Sequence, residues 1–183
     1  TGLSEHAPGA YADFVIVSED MTMEVPDNVS LDEAALTEPM AVAYHAVRRG
    51  EVGRRDVAVV IGCGPIGLAV ILMLKATGVR TVIASDLSAG RRDLARQVGA
   101  DVVVDPTVDS PWDAVVDKGR YMSRASDLFG AAFDGMRTLR RIPVVPWASV
   151  FHLADKLGAT PKGPVVFECV GVPGMIEHVM TGA

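Results

Sequence analysis

Val57-Ala58-Val59-Val60-Ile61-Gly62-Cys63-Gly64-Pro65-Ile66-Gly67 is the stretch that decides the fold of this chain. Five apolar, mostly β-branched residues read as a buried strand. Glycines at Gly-x-Gly-x-x-Gly spacing follow, and then an apolar run, Leu68–Leu74, that Lys75 ends. A helix is predicted over Pro65–Thr77, stopping at Gly78. Strand, glycine turn and helix form the context in which this spacing holds a dinucleotide. Gly62 permits the tight turn, Gly64 lets the backbone approach a pyrophosphate, and Gly67 lets the helix pack on the strand. The helix N-terminus offers free N–H groups and a partial positive charge to phosphates. Pro65 suits the first helical turn, where its missing N–H costs nothing. Cys63 and Ile66 complete the predicted binding loop.

An acidic residue downstream separates this reading from a bare glycine turn. Asp86 follows the next predicted strand, Thr81–Ser85, 19 residues after Gly67. A carboxylate there accepts hydrogen bonds from an adenosine ribose and repels a 2′-phosphate, so NAD is expected rather than NADP. A turn or helix-capping role is the alternative. Arg91 is a candidate to lie over the adenine, or else a solvated arginine at a helix start.

Outward from this core the pattern alternates. A helix is predicted over Arg91–Val98, a strand over Val102–Val104, a strand over Val165–Val170 and a helix over Pro173–Met180. Alternation of this kind implies an α/β fold with a doubly wound parallel sheet, Rossmann-like, its crossovers right-handed. Residues 105–164 break the rhythm. Apolar residues from Met122 to Leu139 fall at helical spacing, Pro143 and Pro146 force an extended stretch, and a helix is expected over Ala148–Leu157. About 60 residues is long for a plain crossover, so 107–163 is expected to be a helical insertion. Toward the N-terminus, Tyr11–Val17 reads as a strand and Pro26-Asp27-Asn28 as a turn. Ser30 with Glu33 is a capping box opening a short helix near Leu31. Pro39 is expected to interrupt it, a second helix running from Pro39 to Arg49.

Composition narrows the function class. The 183 residues carry 17 Lys and Arg against 23 Asp and Glu, a net charge of −6. That balance leaves no basic footprint for nucleic acid. No apolar run approaches the roughly 20 residues of a membrane span. Neither nucleic acid nor membrane is therefore an expected partner. Cys63 and Cys169 stand far apart and form no Cys-x-x-Cys pair, which excludes a four-cysteine zinc site. They fit a reducing compartment, and a cytoplasmic location is expected. No signal peptide is visible, although a start at Thr1 leaves a removed targeting segment open.

Glu38 stands at the expected helix break. A carboxylate there is a candidate metal ligand or simply a charge complementing the helix dipole. His45 shares its face about 10 Å along the axis, too far for one metal, and is read as a packed helix histidine. His6, His152 and His178 show no ligand spacing.

Four strings occur in matching order: Gly9–Phe14, Glu38–Ala46, Val60–Gly67 and Gly99-Ala100-Asp101. Together they closely resemble the medium-chain, zinc-containing alcohol and polyol dehydrogenases. Phe167-Glu168-Cys169-Val170-Gly171 resembles that family's fourth-strand end, which implies that Val170 and Gly171 pass the nicotinamide side. The resemblance covers residues 9–106 and 164–180. It implies two domains, with 1–25 the tail of a catalytic domain and 26–183 the NAD-binding domain. Glu38 falls where the family has its last catalytic-zinc ligand. NAD and zinc are the implied cofactors, a small-molecule alcohol the implied substrate and a homo-oligomer the implied assembly. The implied mechanism is Lewis-acid catalysis, in which zinc favours the alkoxide and a hydride passes to nicotinamide. The family's upstream cysteine and histidine ligands, structural-zinc lobe and final strands are not in this sequence. The fold is accordingly expected to be truncated, a fragment that binds NAD weakly and does not transfer hydride by itself. The alternatives are a zinc-free quinone or enoyl reductase of the same superfamily, against which Glu38-Pro39 argues, and a non-catalytic NAD-binding interaction module. The Met122–Leu139 stripe would serve the latter, though such stripes are more often core.

Overall fold

The computed structural model describes residues 10, 12–114 and 163–181. The expected helices over 122–139 and 148–157 lie outside them, as does most of the expected insertion. The chain divides into two compact units, Thr1–Thr37 and Glu38–Ala183.

In the first unit, a 3-10 turn covers Glu19–Met21 and a short helix, α1, covers Leu31–Ala34. The capping box forms as expected. The Ser30 hydroxyl accepts from the Glu33 N–H at 3.2 Å, and the Glu33 carboxylate accepts from the Ser30 N–H at 2.9 Å. The strand expected over Tyr11–Val17 does not form among the described residues. Ala12–Val17 joins no sheet, and Phe14 and Ile16 are 94% and 101% exposed. A β-branched sequence becomes a strand only when a partner strand takes its backbone groups, and no described strand does so.

The second unit is built on four parallel strands, β1 (Val57–Ile61), β2 (Thr81–Ser85), β3 (Val102–Val104) and β4 (Val165–Glu168), in the order β3-β2-β1-β4. Helix α2 (Thr37–Arg49) begins two residues earlier than expected. Pro39 sits in its first turn, where backbone N–H groups have no helical acceptor, so the proline does not break it. Helix α3 (Pro65–Ala76) joins β1 to β2, α4 (Ala89–Gln97) joins β2 to β3, and α5 (Met175–Thr181) follows β4.

Strand periodicity sorts the core into two faces. Ala58, Val60, Val82, Ala84 and Phe167 point to one, where Ala43 and Val47 of α2, Ile71 and Leu74 of α3 and Ala95 of α4 cover them. Ile71 and Leu74 are fully buried, each stabilising the unit by roughly 1.5–3 kcal/mol. Val57, Val59, Ile83 and Val104 point to the other face, against Trp112. Val179 of α5 packs on that side. The sheet is thus flanked on both faces, as the doubly wound reading requires.

Register fixes where a site can stand. Ile61 pairs with Ser85 and Glu168, and Ser85 pairs with Val104. All four strands end in one row, so Gly62, Asp86, Asp105 and Cys169 emerge together at one rim. Ligands of open α/β sheets bind outside the carboxyl ends of the strands, where the strand order reverses. Here that is beside β1, between β2 and β4.

Candidate functional site

The turn after β1 is held by ladder bonds that run one residue past the strands. The Gly62 N–H donates to the Ser85 carbonyl, and the Cys169 N–H to the Ile61 carbonyl, both at 2.8 Å. Gly62 has φ +90°, in the region that favours glycine, and a Cβ there would stand 2.7 Å from a Val170 methyl. A Cβ on Gly67 would run into the Gly62 carbonyl. Gly67 is what lets α3 seat against the end of β1. Gly64 is different, because a Cβ there would meet nothing within 4 Å. Its open side faces a cavity of about 740 Å³ at the strand rim, within the usual size of a small-molecule site.

Asp86 stands at the head of this cavity, only 8% exposed. Its Oδ2 accepts from the buried Cys63 N–H at 2.7 Å, and its Oδ1 accepts from the Ser88 N–H at 2.8 Å. The carboxylate therefore ties the glycine turn to the end of β2. A carboxylate has about four lone-pair positions, so two remain for ligand hydroxyls. Arg91 Nη1 lies 3.9 Å from Oδ2, on a mostly exposed arm that lines the cavity.

The other predicted site residues take different places. Gly62 and Val170 line the cavity with Gly64. Cys63 is fully buried, and it is its backbone that meets Asp86. Pro65 and Ile66 are exposed at the start of α3. Glu168 accepts from the Val170 and Gly171 N–H groups at 2.6 and 2.9 Å, shaping the turn after β4. Burial pushes the Cys63 thiol up to about 11, with the Asp86 charge adding to it. Burial, with Glu168 beside it, does the same for Cys169, also to about 11. Both thiols are therefore neutral near pH 7. Glu38 is exposed in the first turn of α2. His45, expected to be packed, is exposed instead. The buried stripe of α2 runs through Ala43 and Val47, which leaves residue 45 on the outer side.

Two groups of residues escaped the sequence reading. The segment after β3 supplies a wall of the cavity, with Pro106, Val108, Pro111 and Trp112. The sequence pattern there predicts only the start of an insertion. The Pro-flanked tryptophan was the signal available, since a large aromatic in a polar turn needs a surface to cover. The sequence marks Arg92 only as part of a helix. Its Nη1 donates to the Asp86 and Leu87 carbonyls at 2.9 and 2.7 Å, and its Nη2 pairs with Asp105 at 2.9 Å. The Thr107 hydroxyl and N–H, and then Arg92, hold the Asp105 carboxyl below its usual range.

The cavity fits a dinucleotide, since an open glycine edge at a helix N-terminus and a buried carboxylate face one space. The described residues do not by themselves fit zinc. Among them no three His, Cys, Asp or Glu side chains converge as a metal site. Nor is any described helix long and apolar enough to cross a membrane.

Comparison with known proteins agrees with this geometry. A family model described as zinc-binding dehydrogenase matches residues 65–134. The chain is 43% identical over 99 residues to (R,R)-butanediol dehydrogenase of Bacillus subtilis, covering 54% of the chain and 28% of that protein. It is 40% identical over 126 residues to sorbitol dehydrogenase of Arabidopsis thaliana, covering 69% of the chain and 33% of that protein. The matches thus span about a third of these relatives. Among solved structures, a short chain alcohol dehydrogenase from E. coli complexed with NADH superposes with a TM-score of 0.50 at 27% identity, covering 55% of this chain and 30% of that one. The strand order, the glycine turn with its acidic partner and these relatives point one way: the chain is similar to the zinc-containing dehydrogenases, whose family model matches residues 65–134.

Proposed function

We propose that this chain is the NAD-binding part of a zinc-assisted alcohol or polyol dehydrogenase. The observation that carries the proposal is the shared cavity, which Gly64 opens onto and Asp86 heads. The first N–H groups of α3 would hold the pyrophosphate. The two free lone-pair positions of Asp86 would take the adenosine ribose hydroxyls, and its charge disfavours a 2′-phosphate. Val170 also borders the cavity, and Cys169, Met175 and Val179 line it with apolar surface. Bound there, NAD would supply the hydride acceptor. Gly171 holds the turn that presents Val170.

The relatives named for butanediol and sorbitol support a small alcohol or polyol as substrate. The zinc-binding dehydrogenase family model supports zinc, with Glu38 the one ligand proposed from this chain. A cytoplasmic homo-oligomer completes the proposal. Calorimetric titration of the chain with NAD and NADP tests the cofactor, and equal affinities would refute the NAD assignment. Zinc analysis of the complete protein, wild type and Glu38→Ala, tests the metal. A wild type without zinc would sink that part and favour a zinc-free reductase. NAD binding without oxidation of any alcohol would favour an interaction module.

A further inference from the structure

We propose that Arg92 is a positioning residue for the adenosine half of the dinucleotide, bolting the turn after β2 to the turn after β3 and so setting the crevice between them. The inference rests on the dinucleotide reading above.

The two turns are the walls of one space. Asp86, Leu87 and Ser88 line the cavity from the β2 side, and Pro106 and Val108–Trp112 line it from the β3 side. Sheet hydrogen bonds tie β2 to β3 only as far as Val104, with a long 3.4 Å contact from the Asp86 N–H to the Val104 carbonyl at the rim. Beyond that row the ladder no longer holds the walls together. Arg92 spans the gap. One guanidinium nitrogen donates to two successive carbonyls of the β2 turn, and the other reaches the carboxylate that opens the β3 turn. A planar guanidinium holds such a three-point geometry, which an ammonium on a flexible stem does not.

The far end of the bolt is anchored as well. Asp105 spends Oδ2 on Arg92 and Oδ1 on the Thr107 N–H and hydroxyl, at 3.0 and 2.6 Å. Its carbonyl accepts from the Val108 and Asp109 N–H groups. The position of Asp105 is therefore passed on to the segment that carries Trp112. The Arg92 side chain is 15% exposed and the Asp105 side chain 27%, so solvent screens the pair less than a surface pair. Arg92 itself does not line the cavity. It acts through Asp86 and Asp105.

The test is calorimetric titration of the full chain with NAD and with AMP, in wild type, Arg92→Gln, Arg92→Lys and Asp105→Asn. Arg92→Gln should weaken both ligands by the same factor, roughly tenfold. Arg92→Lys should recover part of the loss, and Asp105→Asn should weaken both ligands several-fold from the other end of the bolt. Asp105→Asn decides the matter if Arg92→Gln does not fold. A larger loss for NAD than for AMP would mean general loosening of the site and would overturn the adenosine role. Wild-type affinities in Arg92→Gln and Asp105→Asn would overturn the inference while leaving the dinucleotide reading intact. A wild-type chain that binds neither ligand would overturn that reading and the inference with it.

Discussion

Replacing Asp86 by asparagine separates two tasks that one carboxylate performs. Both of its oxygens accept backbone N–H groups, from Cys63 at 2.7 Å and from Ser88 at 2.8 Å. An amide has one oxygen, so its NH2 must face one of these donors. Cys63 is buried and Ser88 exposed. The amide oxygen will turn to Cys63, and water will take the Ser88 N–H. One charge-assisted bond is lost and one weakened, at a cost of about 2 kcal/mol. For a chain of this length that lowers Tm by about 4–8 °C. The binding effect is separate. A 2′-phosphate about 5 Å from the carboxylate is opposed by about 3 kcal/mol per unit charge at an effective dielectric near 20. Removing that charge should relax discrimination against NADP by about a hundredfold for each unit of phosphate charge, while NAD weakens by roughly tenfold. Melting curves and calorimetric titrations with both cofactors read the two effects apart. A lowered Tm with an unchanged NAD-to-NADP ratio would refute the argument, leaving Asp86 as a brace only.

The two inner glycines should respond oppositely to one methyl group. Gly67→Ala forces a Cβ into the Gly62 carbonyl and should destabilise the fold by about 1–3 kcal/mol or more, seen in the denaturant midpoint. Gly64→Ala has open space and an ordinary φ of −71°, so stability should hold within about 1 kcal/mol while NAD weakens at least tenfold by roughly the cost of a blocked approach. The thiols predict an alkaline limit. Cys63 and Cys169 ionise near pH 11 when folded and near their ordinary 9.0 when unfolded. The unfolded chain then binds fewer protons, so stability should fall as pH rises from 9 to 11 and not below 9. A Tm independent of pH over that window would contradict it. Trp112 lines the cavity, so NAD should change tryptophan emission, and Trp112→Phe should abolish the change. A signal that survives the substitution would place the ligand elsewhere.

The fold was legible because its signals are local. An apolar β-branched run, a glycine turn and a helix that starts with proline each depend on neighbours in the chain, and Val57–Gly67 contains all three. Register was not legible in the same way, since β1 is apolar on both faces and a slip of one residue would only exchange buried Val59 and Val60. Elements that lean on partners were less legible. Ala12–Val17 has the composition of a strand and no described partner, and Pro39 looks like a breaker until its place in the first turn of α2 is known.

By itself the sequence determined the parallel α/β core, the glycine turn and the acidic residue at the end of β2. These rest on spacing along the chain. Only the tertiary structure decided how the rim is assembled. It showed Asp86 already engaged with the glycine turn, and it brought Trp112 and its neighbours in as a wall of the cavity. It also turned Arg92 from a helix residue into the tie between two strand ends. The physical reason is that a side chain's role depends on which atoms lie within about 3 Å of it. When those atoms come from elements 13 residues away, as with Arg92 and Asp105, or 23, as with Cys63 and Asp86, spacing alone does not reveal them.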